Sequence, residues 1–403
     1  MSTNFTFQAL TPKFHINKLR VLRYDKLRNE IHRNANQEGR MNPFRFGNVV
    51  TGQYFTNREK EIKEIAAEIE AGQHVVLMSP RRYGKSSLVN EVMKSSRVKW
   101  FRINMELISD EVDLANYYVK NALSLSKFEK IKHYLKNLKV QPYIQIQPET
   151  NEISVSFSAE KRNISTLLSD SLHLPEEIAK SMKQRIVVVF DEFQEIRRIS
   201  PMLERKMRGI FQYHENITYV FIGSQESMIR EIFQSKKNPF YKFGRHITLD
   251  KINETAFTAF ILKRFSTQKI DASKIVKDIL IFTDCHPYYT QQLCHEIYIL
   301  SEKKPLTHDI IYKAVDQIVT EHHADYSRRW NSLTNTERKV IIGIVSGERN
   351  PTSQEFIKKY GIKTASTSGS VVTKLFAVGT LVKTNVGIKI EDPFWAKWIL
   401  RNR

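Results

Sequence analysis

Short runs of apolar residues, many of them β-branched, predict five strands in the first 250 residues of the chain. The runs cover residues 73–79, 98–105, 185–190, 218–223 and 246–249. Such runs are typical of strands that are buried on both faces of a parallel sheet. Segments with helical periodicity lie between them, so the pattern predicts a doubly wound α/β sheet over residues 43–250.

The connection at 126–184, before the third of these strands, is unusually long. Residues 127–138 have helical periodicity, whereas residues 143–146 and 153–157 alternate apolar and polar side chains. The alternation predicts a β-hairpin. Loops of this length are often functional, but no residue in this one indicates a ligand.

The rest of the chain predicts an all-α domain over residues 251–326 and a winged helix over residues 327–403. The helical segments of the first are residues 256–265, 272–282, 287–301 and 308–323. In the second, Thr334 and Thr352 are each followed three residues later by glutamate, a capping-box pattern that predicts two helix starts. A third helix, a two-stranded wing and a last helix capped by Asp392 follow, with the helix at 367–378 and the strands at 381–384 and 387–390.

The loop after the first strand carries the strongest chemical signal. Gly84, Lys85 and Ser86 fit the end of the phosphate-binding pattern G-x-x-x-x-G-K-[ST], with Ser79 in place of the first glycine. In such a loop, backbone N–H groups and the start of the next helix hold phosphate oxygens. Lys85 would add charge at the β- and γ-phosphates, and Ser86 would offer its hydroxyl to Mg²⁺. The predicted nucleotide-binding residues here are Pro80, Arg81, Arg82, Tyr83, Gly84, Lys85, Ser86 and Ser87.

Two carboxylates, Asp191 and Glu192, end the third strand, at the edge where open α/β sheets bind ligands. We expect Asp191 to complete the Mg²⁺ site and Glu192 to orient the attacking water. Ser224, after the fourth strand, is a candidate for contact with the γ-phosphate or the water; a solvated strand end is the alternative. Arg245 is a candidate to stabilise charge on a transferring phosphoryl group, with a surface ion pair as the alternative. The predicted catalytic residues are therefore Lys85, Asp191, Glu192 and Arg245.

On these residues the chain resembles the archaeal-type ATPases of the STAND group, P-loop NTPases related to AAA+ proteins. The resemblance covers about residues 43–403 and is carried by residues 54–61, 80–86, 190–195, 223–224, 244–245, 286–289 and 392–394. It implies ATP as the substrate, Mg²⁺ as the cofactor, and a helical lid over the nucleotide.

The same resemblance implies roles for single residues. Phe55, Asn57 and Arg58 would lie near the adenine, Pro287 would start a lid helix near the base, and Arg245 would read the γ-phosphate. The family usually has glycine where this chain has Ser79 and Cys285. In STAND-like proteins the winged helix can fold back on the ATPase core and report the nucleotide state.

Composition narrows the classes of protein. No apolar run approaches the roughly 20 residues that cross a bilayer, and the N-terminus has no secretion pattern, so we expect no membrane partner. Two cysteines, Cys285 and Cys294, fit a reducing cytoplasm. Each precedes a histidine, but their spacing matches no structural zinc pattern.

Charge raises the question of a polyanionic partner. The net charge is +20, and residues 328–403 hold fourteen basic and five acidic residues. A recognition helix would present Thr367, Ser368, Ser370, Thr373 and Lys374. These small polar residues suit DNA-backbone contact better than base reading, and a role inside the protein or towards another protein is the alternative.

Residues 1–42 carry eight basic and three acidic residues, and residues 17–34 could form a basic amphipathic helix. A nucleic-acid-binding or docking arm is one interpretation. We prefer a poorly ordered tail, with Met41 as the true start of the protein.

Together these patterns predict a cytoplasmic Mg²⁺-dependent switch ATPase with slow hydrolysis. Its fold would be a P-loop NTPase parallel sheet followed by a helical lid and a winged helix. An unidentified protein partner and a homo-oligomer are both left open. One alternative is a DNA-binding regulator or initiator-like protein gated by ATP, and another is an interaction scaffold with a vestigial site.

Overall fold

The computed structural model describes most of the chain from residue 41 onward. The described residues are 41–125, 134, 139, 143–146, 153–157, 163–301, 306–384 and 387–402. The predicted helix at 17–34 lies outside them, as does the predicted helix at 127–138 apart from residue 134.

Nine strands are present in the described residues. They are β1 (Val75–Met78), β2 (Lys99–Asn104), β3 (Tyr143–Ile146), β4 (Ile153–Ser156), β5 (Ile186–Asp191), β6 (Ile217–Gly223), β7 (Arg245–Thr248), β8 (Leu381–Thr384) and β9 (Gly387–Ile390). Five of them form a sheet in the order β2-β5-β6-β1-β7, and every neighbouring pair is parallel. This confirms the predicted parallel sheet, and β3 pairs with β4 in the predicted antiparallel hairpin.

Sixteen α-helices lie within the described residues. They are α1 (Glu59–Glu70), α2 (Lys85–Ser95), α3 (Glu111–Ser124), α4 (Ile164–Met182), α5 (Ile196–Ile199), α6 (Leu203–Phe211), α7 (Glu226–Gln234), α8 (Glu254–Ser266), α9 (Val276–Thr283), α10 (Pro287–Leu300), α11 (His308–Glu321), α12 (His323–Asn331), α13 (Asn335–Val345), α14 (Gln354–Tyr360), α15 (Ala365–Ala377) and α16 (Pro393–Asn402). None of the described helices is long and apolar enough to span a membrane.

The parallel sheet is covered on both faces, as its continuous apolar strands require. Along β5, Val188 and Phe190 join the cluster beneath α3, α4 and α6, whereas Val187 and Val189 join the cluster beneath α1 and α2. All four side chains are fully buried. Complete burial of such a side chain contributes about 1.5–3 kcal/mol, so these two clusters hold the carboxyl edge of the sheet in a fixed geometry.

The C-terminal helices and the winged helix share one hydrophobic cluster. It joins Phe257 and Leu293 of α8 and α10 to Val340 of α13 and to Trp395 and Trp398 of α16. The last helix is capped as predicted, because Asp392 Oδ1 accepts from two backbone N–H groups at 3.0 Å. The helical domain predicted to be a lid and the winged helix therefore share one core.

Two local predictions in this region differ from the structure. Helix α9 begins at Val276 instead of residue 272, and Asp271 accepts from the Ser273 backbone N–H in the turn before it. The capping box at Thr334 is present, but the one at Thr352 is wrong. Thr352 donates its hydroxyl to Asn350, and the adjacent Ser353 caps α14 instead. Helix α12 contains residues on both sides of the predicted domain boundary at 326/327, and the domain bounds stay a prediction.

Gly343 gives a prediction about packing within the winged helix. A Cβ atom at this position in α13 would lie 2.2 Å from the Phe356 ring and 3.0 Å from Tyr360. We expect Gly343→Ala to lower the free energy of unfolding by about 1–3 kcal/mol through overpacking. Gly209 is the matched control, because it is exposed in helix α6 with nothing within 4 Å of its added Cβ. Gly209→Ala should stabilise by roughly 0.5–1 kcal/mol; equal effects in urea unfolding would contradict the expectation.

Two histidines, the buried His214 and the partly buried His74, lie beside the central strand β6. His214 Nδ1 lies 2.7 Å from the Tyr219 hydroxyl, and the Tyr219 backbone N–H donates to His74 Nδ1 at 3.2 Å. Burial lowers the pKa of His74 to about 4, and Arg208 and Arg185 add to the effect. Burial likewise lowers the pKa of His214 to about 4.

These pKa values predict a loss of stability in acid. In the unfolded chain each imidazole takes up a proton near pH 6.5, whereas in the folded chain it stays neutral down to about pH 4. The unfolded state therefore gains about 2 kcal/mol per histidine between pH 7 and pH 5. Urea unfolding at the two pH values measures this, and His214→Asn should remove about half of the pH dependence. A free energy of unfolding that does not fall would refute the assignment.

Candidate nucleotide site

The predicted phosphate loop joins β1 to α2 at the carboxyl edge of the sheet. Helix α2 begins at Lys85, and the residue before it, Gly84, has a φ of 89°. Glycine adopts this left-handed conformation without the Cβ clash of other residues. Ser79 at the start of the loop is fully buried, and its hydroxyl donates to the Pro80 carbonyl at 3.2 Å. Serine is thus accommodated where the pattern usually has glycine.

Lys85 points back into the loop. Its side chain is 6% exposed, and its ammonium group donates to the Ser79 carbonyl at 2.8 Å and to the Pro80 carbonyl at 2.7 Å. The loop therefore already holds a buried positive charge at the start of a helix, where the helix dipole also favours anions.

A hydroxyl–carboxylate pair lies next to the loop. Ser86 Oγ donates to Asp191 Oδ2 at 3.0 Å, although the two residues are 105 positions apart. Arg102 of β2 is 3.8 Å from the same oxygen. Burial raises the pKa of Asp191 above its usual value, and the Arg102 charge and the Ser86 hydroxyl oppose that rise. A buried carboxylate beside a hydroxyl suits a hard cation such as Mg²⁺, which prefers oxygen ligands.

Glu192 is held by the neighbouring strand. Its backbone is left-handed, with a φ of 50°. Its Oε2 accepts from the Ser224 hydroxyl at 2.6 Å, from the Ser224 backbone N–H at 3.3 Å and from the Gln194 amide at 2.5 Å. The contact follows from the strand order, because β6 lies between β1 and β5. Ser224, predicted to meet the nucleotide, therefore meets Glu192.

Arg245 is not brought to this site. Strand β7 runs parallel to β1, with Arg245 opposite Val75 at the start of both strands, whereas the loop follows Met78 at their far ends. Three strand residues separate these positions by about 10 Å. The Arg245 side chain is 59% exposed and pairs with Glu64 and Glu68 of α1 at 3.6 and 3.9 Å. The surface ion pair, the alternative interpretation, is the observed one.

The residues expected near the adenine precede and begin helix α1. Arg58 is 5% exposed and donates to the Asp250 carbonyl at 2.6 Å and to Glu61 at 2.9 Å. Asn57 has a φ of 44°, and Phe55 packs against the cluster beneath α1 and α2. These contacts fix the Arg58 guanidinium, so it is a buried structural cation at the end of β7.

The segment before them, residues 42–54, forms a strap that sequence reasoning missed. The Val50 backbone N–H donates to the Ser87 hydroxyl at 3.0 Å, and Arg264 of α8 donates to the Pro43 carbonyl at 2.8 Å. The hydroxyl of Ser87, predicted to bind nucleotide, is thus engaged by the strap. The strap has no regular periodicity, and only its position before α1 could have indicated the role.

Helix α10, which begins the predicted lid contact, lies directly against the loop. Pro287 occupies its first turn, and His286 caps it by accepting from the Tyr288 and Tyr289 backbone N–H groups. The Tyr83 ring of the loop lies 4.8 Å from the His286 ring, centroid to centroid. The Arg82 guanidinium lies 4.4 Å from the centre of the Tyr288 ring. Loop and lid therefore meet through aromatic and cation–π contacts, while Arg81 is exposed.

Helix α15, the predicted recognition helix, exposes fewer polar side chains than the sequence predicted. Ser368 is fully buried and donates to the Pro351 carbonyl, and Lys374 pairs with Glu337 at 2.7 Å. Ser370 and Thr373 remain exposed, and the Thr367 backbone N–H donates to the Thr364 hydroxyl. With the Thr367 hydroxyl 2.9 Å from that of Thr364 and the Thr373 hydroxyl donating to the Gly369 carbonyl, four of the five side chains expected at a DNA groove make contacts within the protein.

Two known protein families match parts of this chain. Residues 55–293, more than half of the chain, match the family described as an ATPase domain predominantly from Archaea. The protein therefore belongs to this ATPase family. Residues 324–401 match a family described as a probable winged helix domain.

Solved structures share the fold at low sequence identity. The Walker-type ATPase of Pyrococcus abyssi is 14% identical, with a TM-score of 0.63 over 89% of this chain and 99% of its own. The ORC2 protein of Aeropyrum pernix, solved in ADPNP and ADP complexes, is 12% identical, with a TM-score of 0.53 over 89% and 98%. These likenesses show a P-loop ATPase fold. Among curated proteins, no significant match is found.

Proposed function

We propose that this protein is a Mg²⁺-dependent ATPase that works as a slow nucleotide switch of the STAND type. The observation that carries the proposal is the 3.0 Å bond between the Ser86 hydroxyl and Asp191, directly beside the buried Lys85 and followed by Glu192. Four residues from two distant segments converge there, and they would supply the phosphate-binding charge, the metal ligands and the water-orienting carboxylate for nucleoside triphosphate hydrolysis.

The residues of the loop would bind and orient the triphosphate. Backbone N–H groups at the start of α2 would hold phosphate oxygens, and Lys85 would exchange its carbonyl partners for the β- and γ-phosphates. Glu192 would accept a hydrogen bond from the attacking water and orient it in line with the γ-phosphorus. The Ser224 and Gln194 contacts leave Oε1 of Glu192 as the oxygen for that role.

Two side chains beside the phosphate loop suit a divalent ion. Ser86 and Asp191 would hold Mg²⁺, and the ion would neutralise charge on the β- and γ-phosphates when bound. Since the hydroxyl and the carboxylate are already in contact, little rearrangement is needed to admit it.

A matched pair of serine variants tests this assignment. We expect Ser86→Ala to raise the Mg²⁺ concentration for half-maximal ATP turnover about tenfold or more, because one oxygen ligand is lost. Ser87→Ala is the control, because its hydroxyl is engaged by the strap at Val50. It should leave the Mg²⁺ requirement nearly unchanged. An unaltered requirement in Ser86→Ala would exclude Ser86 as a ligand.

The switch behaviour is supported by the lid and the winged helix. The core would cover about residues 43–250, the lid 251–326 and the winged helix 327–403. ATP would lie between the core and the lid, near Phe55, Asn57, Arg58 and Pro287. The close packing of α10 on the loop gives the lid a direct route to sense the nucleotide. ATP is favoured over GTP by the family and by the absence of an Asn-Lys-x-Asp guanine motif.

The second candidate function is an ATP-gated DNA-binding protein. The excess of nine positive charges in residues 328–403 and the winged-helix match favour it. Duplex DNA affinity measured at several salt concentrations tests it, because phosphate contacts make the logarithm of affinity fall linearly with the logarithm of salt. A salt-dependent affinity that changes between ADP and ATP would support this candidate, and no binding at low salt would remove it.

A further inference from the structure

One carboxylate of the winged helix reaches the lid beside the phosphate loop. Glu391 follows strand β9, and its side chain is only 15% exposed. Its Oε2 accepts from the Tyr289 hydroxyl at 2.6 Å, and its Oε1 lies 3.0 Å from His286 Nε2. Both oxygens of a winged-helix carboxylate are therefore engaged by the first turn of the lid helix α10.

The tautomer of His286 follows from its cap. His286 Nδ1 accepts from two backbone N–H groups, so the neutral ring carries its proton on Nε2, the nitrogen that faces Glu391. The same ring contacts Tyr83 of the loop edge to face. His286 thus connects the winged-helix carboxylate on one side with the phosphate loop on the other.

Arg82 of the loop belongs to the same cluster. Its guanidinium lies over Tyr288, and its backbone is left-handed with a φ of 66°. Partial burial lowers the pKa of Arg82, but the Tyr289, Tyr288, Glu391 and Asp392 side chains outweigh that and raise it above its ordinary value. The Glu391 and Asp392 carboxylates of the winged helix therefore act electrostatically on Arg82, which lies only three positions before Lys85.

A second ionic contact joins the lid to the winged helix. Asp284, just before the lid helix, pairs with Lys251 at the start of the lid and with Lys389 of strand β9. Asp284 and Cys285 both have left-handed backbones, with φ values of 51° and 53°. Non-glycine residues adopt this conformation at a cost, so the surrounding contacts must hold it in place.

We propose that Glu391 is a positioning residue for the nucleotide site: by holding His286 and Tyr289, it keeps the lid helix and the Arg82–Tyr83 segment of the loop in place while the winged helix is docked. Nucleotide release is then slow in the docked state and fast once the carboxylate leaves. This inference rests on the proposed function, since it names the residue through which winged-helix docking acts on the ATP site.

The test compares release of a fluorescent ADP analogue, mant-ADP, from the full chain and its variants by stopped flow. We expect Glu391→Gln, which keeps the size and removes the charge, to release mant-ADP about tenfold faster. Tyr289→Phe should accelerate release by a smaller factor, and the double variant should not exceed Glu391→Gln, because Tyr289 acts through Glu391. Glu355→Gln is the control, because this carboxylate is exposed elsewhere on the winged helix; it should release at the wild-type rate.

Hydrogen exchange in the nucleotide-free chain gives a readout that does not depend on ATP. Loop amides of residues 79–86 and the start of α10 should exchange faster in Glu391→Gln than in wild type or Glu355→Gln. Should Glu391→Gln fail to fold, Tyr289→Phe alone carries both measurements, because it keeps the buried ring.

The outcomes separate the two proposals. Unchanged release and unchanged loop exchange in the folded variants would overturn the role of Glu391 while leaving the ATPase proposal intact. A wild-type chain that binds no mant-ADP would instead refute the proposed function, and the exchange result would still decide whether Glu391 positions the loop.

Discussion

Lys85→Ala should weaken ATP binding about 100-fold or more. The substitution removes the only loop side chain whose ammonium lies buried among the loop carbonyls, 2.7–2.8 Å from Ser79 and Pro80. A charge-assisted contact with phosphate is worth about 3 kcal/mol, which corresponds to this loss of affinity. Isothermal titration with ATP and Mg²⁺ measures it.

The control for that prediction is Lys94→Ala. Lys94 lies near the end of the same helix α2, is 56% exposed and pairs with Glu91. Its removal changes the net charge equally but should leave ATP affinity within about twofold, because an exposed pair contributes little. Equal affinity in Lys85→Ala and wild type would show that the loop does not bind the triphosphate.

Glu192→Gln should abolish most of the turnover while preserving binding. The amide keeps the shape of the side chain but cannot accept a proton from water or orient it as strongly. Loss of such a group lowers the rate by about 10²- to 10⁴-fold. Phosphate release at saturating ATP measures the rate, and titration should give an ATP affinity within a few-fold of wild type.

Glu195→Gln is the matched control for Glu192→Gln. Glu195 lies three residues further on and pairs with Arg198 on the surface side of the segment. Turnover should be nearly unchanged in this variant. If both variants keep wild-type turnover, water orientation by Glu192 is excluded and another residue must carry it.

The sheet could be predicted from the sequence because each strand is a local pattern. Residues 185–190, almost entirely apolar before two carboxylates, allow little but a buried parallel strand, and all five predicted strands are found in one sheet. Helix caps with a single candidate, such as Asp392, were also predictable. Thr352 and Ser353 are adjacent hydroxyl residues, and either one could cap helix α14. Thr352 instead donates to Asn350, and this contact follows no periodic pattern in the sequence.

The order and register of the strands are harder to predict from the sequence than the strands themselves. Because Ser224 follows a strand, the sequence predicts it near the phosphates, but its distance to Glu192 depends on β6 lying between β1 and β5. Arg245 was expected at the site because a glycine and an arginine precede a short strand. Arg245 lies at the start of strand β7, whereas the site lies at the far end of the sheet, and only the register of β7 with β1 reveals this.

Contacts between domains could not be read from the sequence at all. Glu391 and Tyr289 are 102 positions apart, and Pro43 and Arg264 are 221 apart. Neither pair belongs to a motif with fixed spacing. Their proximity follows from the packing of the lid and winged helix around the common cluster that includes Leu293 and Trp395.

Phosphate release from ATP by the purified wild-type chain tests the proposed ATPase activity most directly. It should be measured with Mg²⁺, with excess EDTA, and beside Glu192→Gln as the blank. We expect slow, saturable release that requires Mg²⁺ and falls to the blank level in EDTA. Release no faster than the Glu192→Gln blank at saturating ATP and Mg²⁺ would contradict the assignment of this site as an ATPase.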